Sequence, residues 1–385
     1  MVRPDYAGAG LVNLIASLIE ARGGRAHQPT LAQLPPAEIA PARNVLLLIV
    51  DGLGDLYLTR HGAGGELERR RRGAMTSVFP STTASAITTS YTGCAPLEHG
   101  LTGWFTLFGA AGCVAAPLPF RSRGDYLPLG ARGVDARAIY ASASLFDALP
   151  VRSIVVSQRE IIDSQYNLHH CGRAERRAYD DLEGLVRETE AAVKSGDERK
   201  FVYVYWPLYD TVSHAHGAQS PQAAQQFAAV DAAFGALLAR LAGTESVVVA
   251  TADHGFIDCP PETALRLEDG PGLSALLRYP LCGERRVAYC HVQDGRVDEF
   301  MARAAQWLDG RARVRPSREL LSEGWFGNGP AHPRIAERIG DVALVMNERF
   351  TIKDWTPGEP GHLHIGNHGG ASAEEMMIPL VVAAI

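Results

Sequence analysis

The stretch NVLLLIVDGLGD (residues 44–55) is an unbroken apolar run that ends at Asp51 and Gly52. An apolar run without alternation is typical of a strand buried on both faces, as strands of parallel sheets are. Asp51 stands at the carboxyl end of this predicted strand, where open α/β sheets bind their ligands. The stretch therefore predicts a central strand followed by a candidate functional carboxylate.

The same pattern recurs in three further stretches, which are FVYVYWPLYD (201–210), SVVVATADHG (246–255) and SIVVS (153–157). The first is expected to be a strand that leads to Asp210, and the second a strand that leads to Asp253 and His254. Helical patterns occupy other parts of the chain, at residues 9–22, 83–93, 179–196 and 221–243. Strands that alternate with helices predict an α/β fold with a mainly parallel central sheet.

Residues 256–361 have a different character, because they are rich in Pro, Gly and Arg and contain only short strand-like pieces. Two of these pieces are RVAYCHV (286–292) and DVALVMN (341–347). We interpret the segment as an insertion, or cap, that packs beside the sheet within a single domain spanning residues 1–385.

The composition of the 385-residue chain is that of an ordinary globular protein, with 46% hydrophobic and 21% charged residues. The net charge of −6 gives no reason to expect a nucleic-acid polymer or an anionic membrane as partner. The six cysteines form no CxxC pair, which disfavours a cysteine-type zinc site. No apolar run is long enough for a membrane span, and the N-terminal run lacks the features of a signal peptide. We expect a cytoplasmic protein, and the sequence does not predict its oligomeric state.

Acidic and imidazole side chains follow the predicted strands. Asp51 ends the first, and Asp210 has His214 four positions later, which puts both on one face of a helical turn. The remaining members of this group are Asp253 with His254, and His368 in the sequence GNHGG. We expect these side chains to converge at one edge of the sheet. Five other histidines are interpreted as surface or supporting groups, and these are His99, His169, His170, His216 and His362.

Three carboxylates without basic partners would repel one another unless cations lay between them. Mixed histidine and carboxylate ligands suit zinc, with manganese or iron as alternatives. Six protein ligands are too many for one catalytic zinc but suit two ions that each keep an open position. Two-metal sites commonly catalyse phosphoryl transfer. The pattern therefore predicts two divalent metal ions, most simply zinc.

A candidate nucleophile lies in FPSTTASAITTSYTGCAPLEHGLTGW (79–104), where Thr82 and Thr83 precede a helix of small residues. Either threonine is placed for the N-cap of that helix, where free N–H groups and the helix dipole favour an anion. The alternative is an ordinary threonine cap without a catalytic role. On the residues alone, both threonines stay candidates.

Taken in order, these motifs resemble those of the alkaline phosphatase superfamily. The set comprises VDG, a Thr before TG…P..HG, then D-x-x-x-H-x-x-G, ADHG and HGG, and it is most similar to the type I phosphodiesterase/nucleotide pyrophosphatase branch. The resemblance implies an alkaline-phosphatase-like three-layer sandwich with a small cap. It also implies a metal-dependent hydrolase that acts on a small-molecule phosphate ester.

The resemblance assigns a role to each residue. Thr83 matches the nucleophile, which would form a phospho-threonine intermediate and also bind a metal ion. One ion would be held by Asp210, His214 and His368. The other would be held by Asp51, Asp253, His254 and the Thr83 oxygen.

The sequence departs from the family at one position, since an Asn expected 21 residues after the nucleophile is replaced by Trp104. We expect the backbone N–H of Ala84 to remain as a phosphate donor, with Trp104 contributing its indole N–H or its aromatic face. Arg121 and Arg123 are further candidates to replace the Asn. The change leaves a phosphomonoesterase open as an alternative to a phosphodiesterase. A non-catalytic metal-binding homologue is the other alternative, whereas the lack of a C-x-P-x-R motif disfavours a sulfatase.

Overall fold

The chain forms α/β layers around one large sheet, and the computed structural model describes residues 1–359 and 363–385. His362 therefore lies outside the described residues. The strands are β1 (Asn44–Val50), β2 (Arg71–Thr76), β3 (Thr106–Phe108), β4 (Cys113–Ala116), β5 (Arg121–Ser122), β6 (Arg152–Gln158), β7 (Glu175–Tyr179), β8 (Lys200–Trp206), β9 (Ser246–Thr251), β10 (Ile257–Asp258), β11 (Ala264–Arg266), β12 (Cys282–Gly283), β13 (Val287–Cys290), β14 (Ala312–Pro316), β15 (Val342–Met346), β16 (Thr351–Lys353), β17 (Gly366–Asn367) and β18 (Met377–Ala384).

The helices range from single turns to a long rod of 20 residues. They are α1 (Leu11–Ala21), α2 (Pro36–Ile39), α3 (Asp55–His61), α4 (Glu66–Arg69), α5 (Thr83–Thr92), α6 (Pro96–His99), α7 (Leu145–Ala148), α8 (Arg159–Ile162), α9 (Gln165–His170), α10 (Leu182–Lys194), α11 (Leu208–His216), α12 (Pro221–Arg240), α13 (Val297–Trp307), α14 (Ser317–Ser322), α15 (Ile335–Ile339) and α16 (Ala373–Met376). Among the helices described, none combines enough length with enough apolar character for a membrane span.

The central sheet has seven strands in the order β2-β18-β9-β1-β8-β6-β7. Strand β18 runs antiparallel to its neighbours β2 and β9, and the remaining pairs are parallel. Every residue of β1, β8 and β9 is buried, so both faces of the sheet are covered at its centre. The predicted α/β fold with a mainly parallel central sheet is confirmed.

The register of the three central strands places their carboxyl ends side by side. Val50 of β1 pairs with Trp206 of β8, and Ile49 pairs with Thr251 of β9. The segments that follow these strands therefore leave the sheet at the same edge, which brings their polar residues together.

Most of the predicted insertion forms its own small layer. Strands β12, β13, β15 and β14 make a four-stranded antiparallel sheet, and its apolar side chains pack with those of α13 in a separate core. Strand β18 returns to the central sheet after this segment. On that ground we propose that residues 256–361 are an insertion within a single domain spanning residues 1–385.

Helix α5 carries the candidate nucleophile and is buried along its whole length despite its many hydroxyl groups. These groups find partners in the core: Thr88 shares a hydrogen bond with the Tyr166 hydroxyl (2.8 Å), and Ser90 shares one with that of Tyr203 (2.8 Å). A buried polar group is tolerated when it is hydrogen-bonded. The hydroxyls therefore fix the helix rather than weaken its packing.

His99 is one of these supporting groups, and it is buried rather than on the surface. Its Nδ1 accepts the Leu101 N–H (3.1 Å), so the neutral ring carries its proton on Nε2, which lies 3.2 Å from the Thr89 hydroxyl oxygen. Burial lowers the pKa of His99 well below its ordinary value, and the neighbouring His170 and the Arg338 guanidinium lower it further. The native protein therefore keeps this ring neutral.

His99 is expected to make the protein less stable in mild acid. As the pH falls below about 6.5, the unfolded chain protonates this histidine while the native state does not, which costs at most about 1.4 kcal/mol per pH unit. Urea unfolding at pH 7.5 and 5.5 should show a smaller loss of stability for His99→Gln than for the wild type. Equal losses of unfolding free energy in the two proteins would show that His99 is not the source of the acid sensitivity, because the other buried histidines are common to both.

Candidate active site

The carboxyl edge of the central sheet gathers the predicted acidic residues. Asp51 directly follows β1, and Asp253 lies two residues beyond the end of β9. Asp210 arrives differently from the prediction, because β8 ends at Trp206 and Asp210 lies in the first turn of α11. His214 follows one turn later on the same helix, as the spacing predicted.

One half of the site is centred on the His254 Nε2 atom. This nitrogen lies 3.3 Å from Asp51 Oδ1, 3.4 Å from Asp253 Oδ2 and 3.2 Å from the Thr83 hydroxyl oxygen. Asp51, Asp253 and His254 are at most 2% exposed. The four residues that the resemblance assigned to one ion therefore do lie together.

The other half is formed by Asp210, His214 and His368. Asp210 Oδ1 lies 3.5 Å from His214 Nε2 and 3.7 Å from His368 Nε2, and the two imidazole nitrogens are 3.1 Å apart. His254 Nε2 is 3.9 Å from Asp210 Oδ1, so the two halves are adjacent. All of the side chains predicted to bind metal are brought together.

Each histidine is oriented by a backbone carbonyl. The Nδ1 atoms of His214, His254 and His368 lie 2.9, 3.1 and 3.2 Å from the carbonyl oxygens of Gly366, Gly255 and Ser81, respectively. A carbonyl only accepts hydrogen bonds, so Nδ1 carries the proton and Nε2 presents its lone pair to the site. Metal-binding histidines are held in this way.

The carboxylates also present free oxygens to the site. Asp51 Oδ1, Asp210 Oδ1 and Asp253 Oδ2 are buried without a hydrogen-bond partner in the described part of the chain. The opposite oxygens of Asp51 and Asp253 are engaged: Asp51 Oδ2 accepts the Tyr205 hydroxyl, and Asp253 Oδ1 accepts the Gly52 and His254 N–H groups, each at 3.0 Å. Orphaned carboxylate oxygens facing imidazole lone pairs fit divalent cations.

The shifted pKa values of the site residues also fit a site for divalent cations. Burial raises the pKa of Asp51 well above its ordinary value, and the charges of Asp253 and Asp210 raise it further. Burial lowers the pKa of His214 to about 3 and that of His368 well below its ordinary value. The three histidines are therefore neutral, and within the described residues no lysine or arginine forms an ion pair with Asp51, Asp210 or Asp253.

Gly52 and Phe256 shape the floor of the site. Gly52 has a φ of +78°, and a Cβ at this position would lie 2.4 Å from the Phe256 ring. That ring in turn lies edge-on to the imidazoles of His214, His254 and His368, with centroids 5.0 to 5.6 Å apart. Phe256 was not predicted, since an aromatic residue after a strand has no distinctive local signal.

The structure separates the roles of the two candidate threonines. Thr82 is the N-cap of α5, but its hydroxyl donates to Glu284 Oε1 (2.5 Å) instead of capping the helix. Thr83 is the first residue of α5 and presents its hydroxyl to His254. Ala84 is the second residue, where a helix has a backbone N–H without an intrahelical acceptor.

A cavity of about 680 Å³ lies between this edge of the sheet and the cap. Thr83, Asp210, His214 and His368 line one side, and the rest is lined mainly by Trp104, by residues of the segment 123–126 and by residues of the insertion. The volume is that of a small-molecule binding site.

The two arginines considered as replacements for the missing Asn differ in position. Arg123 lines the cavity, but its guanidinium is paired with Asp354 (2.7 Å) and Glu359 (2.8 Å). Arg121 donates to the Tyr126 carbonyl (2.8 Å) and is not among the residues that line the cavity. Neither is free to replace an amide donor at the nucleophile.

Glu284 is the main site residue that sequence reasoning missed. It lies between β12 and β13, and its Oε1 accepts both the Thr82 hydroxyl and the Trp104 N–H (2.7 Å). Burial raises the pKa of Glu284 to about 7. Glu284 thus joins the cap to the start of α5. The sequence could not predict this contact, because the two residues are 202 positions apart and no local pattern relates them.

The sequence matches the model of the family described as type I phosphodiesterase/nucleotide pyrophosphatase, over residues 45–118 and 125–371. The chain belongs to this family. It is thus a metal-dependent hydrolase of phosphoric ester bonds, as the motifs predicted. No sequence among curated proteins matches the chain.

Solved structures with the same fold include murine ectonucleotide pyrophosphatase/phosphodiesterase 5, with a TM-score of 0.66, 19% identity and 87% of each chain covered. Human ectonucleotide pyrophosphatase/phosphodiesterase 5 gives 0.65 at 18% identity, again with 87% of each chain covered. Phosphonoacetate hydrolase from Sinorhizobium meliloti 1021, in complex with phosphonoacetate, gives 0.63 at 18% identity, covering 89% of this chain and 90% of that one. At these identities the likeness shows the shared fold.

Proposed function

We propose that this member of the family is a two-metal phosphodiesterase that uses Thr83 as its nucleophile. The observation that carries the proposal is the convergence of the Thr83 hydroxyl, three orphaned carboxylate oxygens and three imidazole Nε2 atoms at one sheet edge. A catalytic threonine on this fold is supported by a murine relative, because a threonine-to-alanine variant of that protein, in complex with AMP, is described as inactive.

Two ions fit the donor set. Asp210, His214 and His368 would hold one, and Asp51, Asp253, His254 and the Thr83 oxygen would hold the other. Zinc suits these ligands best, with manganese and iron as alternatives. When bound, such ions would neutralise the charge of the phosphate and favour deprotonation of oxygen nucleophiles.

The chain's own groups would carry out a double displacement. The Thr83 hydroxyl gives up its proton to solvent and its Oγ1 bonds to phosphorus as the bond to the leaving oxygen breaks, and the departing alkoxide takes a proton from solvent. Water then attacks the phospho-threonine, releasing the phosphate product and restoring the hydroxyl. The Ala84 N–H, at the positive end of α5, would donate to a phosphoryl oxygen throughout.

The walls of the cavity favour a diester over a monoester. Trp104, Phe105, Leu281 and Ile352 offer apolar surface to a second ester group, whereas a monoester would leave that surface uncovered. We expect kcat/KM for bis(p-nitrophenyl) phosphate to exceed that for p-nitrophenyl phosphate by about tenfold or more, a difference of about 1.4 kcal/mol.

The measurement compares both substrates with added zinc, manganese or iron. A preference for the monoester would favour the phosphomonoesterase alternative. Lack of turnover of both with every metal would favour a non-catalytic metal-binding homologue. A small-molecule phosphate ester as substrate, a cytoplasmic location and the absence of nucleic-acid and membrane partners stay predictions.

A further inference from the structure

The cap side of the cavity presents three basic residues, Arg123, Lys353 and Arg285. Two of them are already neutralised. Arg123 is paired with Asp354 and Glu359, and Lys353 lies 3.3 Å from Glu359 and 4.1 Å from the centre of the Trp355 ring. The charge of Arg123 is thus used to attach its own segment to the cap, and that of Lys353 is used within the cap.

Arg285 differs from both. Its side chain lines the cavity, and within residues 1–359 and 363–385 its guanidinium has no hydrogen bond and no ion pair. The adjacent Glu284 is directed elsewhere, towards Thr82 and Trp104. The Arg285 carbonyl accepts the Ile352 N–H (2.9 Å), which fixes the backbone that carries the side chain.

The position of Arg285 relates it to the reaction site. Arg285 lines the same cavity as Asp210, His214 and His368, so a ligand in this cavity can reach both the guanidinium and that half of the site. Burial is the main reason why the pKa of Arg285 itself is lowered. A guanidinium that is partly shielded from water and has no partner loses hydration, and an oxyanion supplied by a ligand would offset that loss.

We propose that Arg285 selects substrates whose ester group on the cap side carries a second oxyanion, either a carboxylate or a phosphoryl group. The inference rests on the proposed function and specifies its substrate class. A guanidinium binds either oxyanion with two parallel hydrogen bonds, and a neutral substituent would leave it unpaired. Arg285 is therefore a specificity-determining residue rather than a catalytic one.

The test uses three esters of methyl phosphate that share a para-substituted phenyl leaving group. The substituents are carboxylate, phosphonomethyl and the neutral carbamoyl group. We expect Arg285→Met to lower the ratio of kcat/KM for the anionic esters over the carbamoyl ester by about 30-fold or more, while kcat/KM for the carbamoyl ester changes less than about threefold. Arg285→Lys should retain part of the preference. The ester that loses most in Arg285→Met identifies the oxyanion as carboxylate or phosphoryl.

Arg313→Met is the matched control, because Arg313 is exposed on β14 and the same net charge is lost. An unchanged ratio in Arg285→Met, or an equal fall in Arg313→Met, would overturn the proposal. If the wild type hydrolyses none of the esters, the proposed function fails separately. Calorimetric titration of the metal-loaded wild type and Arg285→Met with the three esters then decides whether Arg285 distinguishes anionic from neutral substituents.

Discussion

Thr83→Ala is expected to lower kcat/KM for bis(p-nitrophenyl) phosphate by about 10⁴-fold or more, since loss of a covalent nucleophile removes the reaction path itself. The fold should persist, because the Thr83 methyl group and hydroxyl form only a small part of the buried surface of α5. The measurement is steady-state turnover at saturating metal, with circular dichroism and metal content determined on the same preparation.

Two variants serve as controls for this substitution. Thr83→Ser keeps a hydroxyl and should keep measurable activity. Thr82→Val removes the neighbouring hydroxyl and its bond to Glu284, and we expect a loss of less than about tenfold, which corresponds to one hydrogen bond. Turnover by Thr83→Ala near the wild-type level, or an equal loss in Thr82→Val, would remove Thr83 from the nucleophile role.

Asp253→Asn is expected to abolish activity while stabilising the metal-free protein. The amide oxygen of the new Asn side chain can still accept the backbone N–H groups of Gly52 and His254. Its NH2 group would take the place of the unpartnered Oδ2 atom beside His254 Nε2. The change removes a negative charge that raises the pKa of Asp51 and of Asp210. We expect kcat/KM to fall about 10³-fold or more and the free energy of unfolding in EDTA to rise by roughly 1–2 kcal/mol.

The stabilisation should depend on pH in a defined direction. Below the ordinary Asp pKa of 3.8, Asp51 is protonated in both native and unfolded states, so repulsion contributes nothing. As the pH rises towards and through the raised native pKa, the unfolded state ionises first and the metal-free native protein loses stability. The benefit of Asp253→Asn should therefore be larger at pH 8 than at pH 5, as measured by urea unfolding in EDTA.

Asp55→Asn is the contrasting control, because Asp55 is a buried carboxylate that already has a partner, Arg71, at 2.5 and 2.9 Å. Its replacement should destabilise the protein with or without metal. If Asp253→Asn also destabilised the metal-free protein, the view that repelling carboxylates await cations would be wrong. If zinc stabilised Asp253→Asn as much as the wild type, Asp253 would not be a ligand.

The central strands and the polar residues after them could be predicted from the sequence. A buried parallel strand needs an unbroken apolar run, and β1, β8 and β9 each have one. Residues that follow such strands leave the sheet at one edge, which is why Asp51 and Asp253 could be expected to meet. The i, i+4 spacing likewise predicted that Asp210 and His214 share a helix face, although the helix begins before Asp210 rather than after it.

The tertiary structure alone decided what surrounds that edge. Three features depend on how the cap packs over the sheet. They are the hydrogen bond between Glu284 and Thr82, the contact of Phe256 with the three imidazoles, and the unpaired Arg285 in the cavity. Secondary structure can be predicted from local sequence, because buried positions recur at a regular spacing along a strand or helix. A contact between segments hundreds of residues apart has no such period, since it is set by the packing of surfaces that only the folded chain brings together.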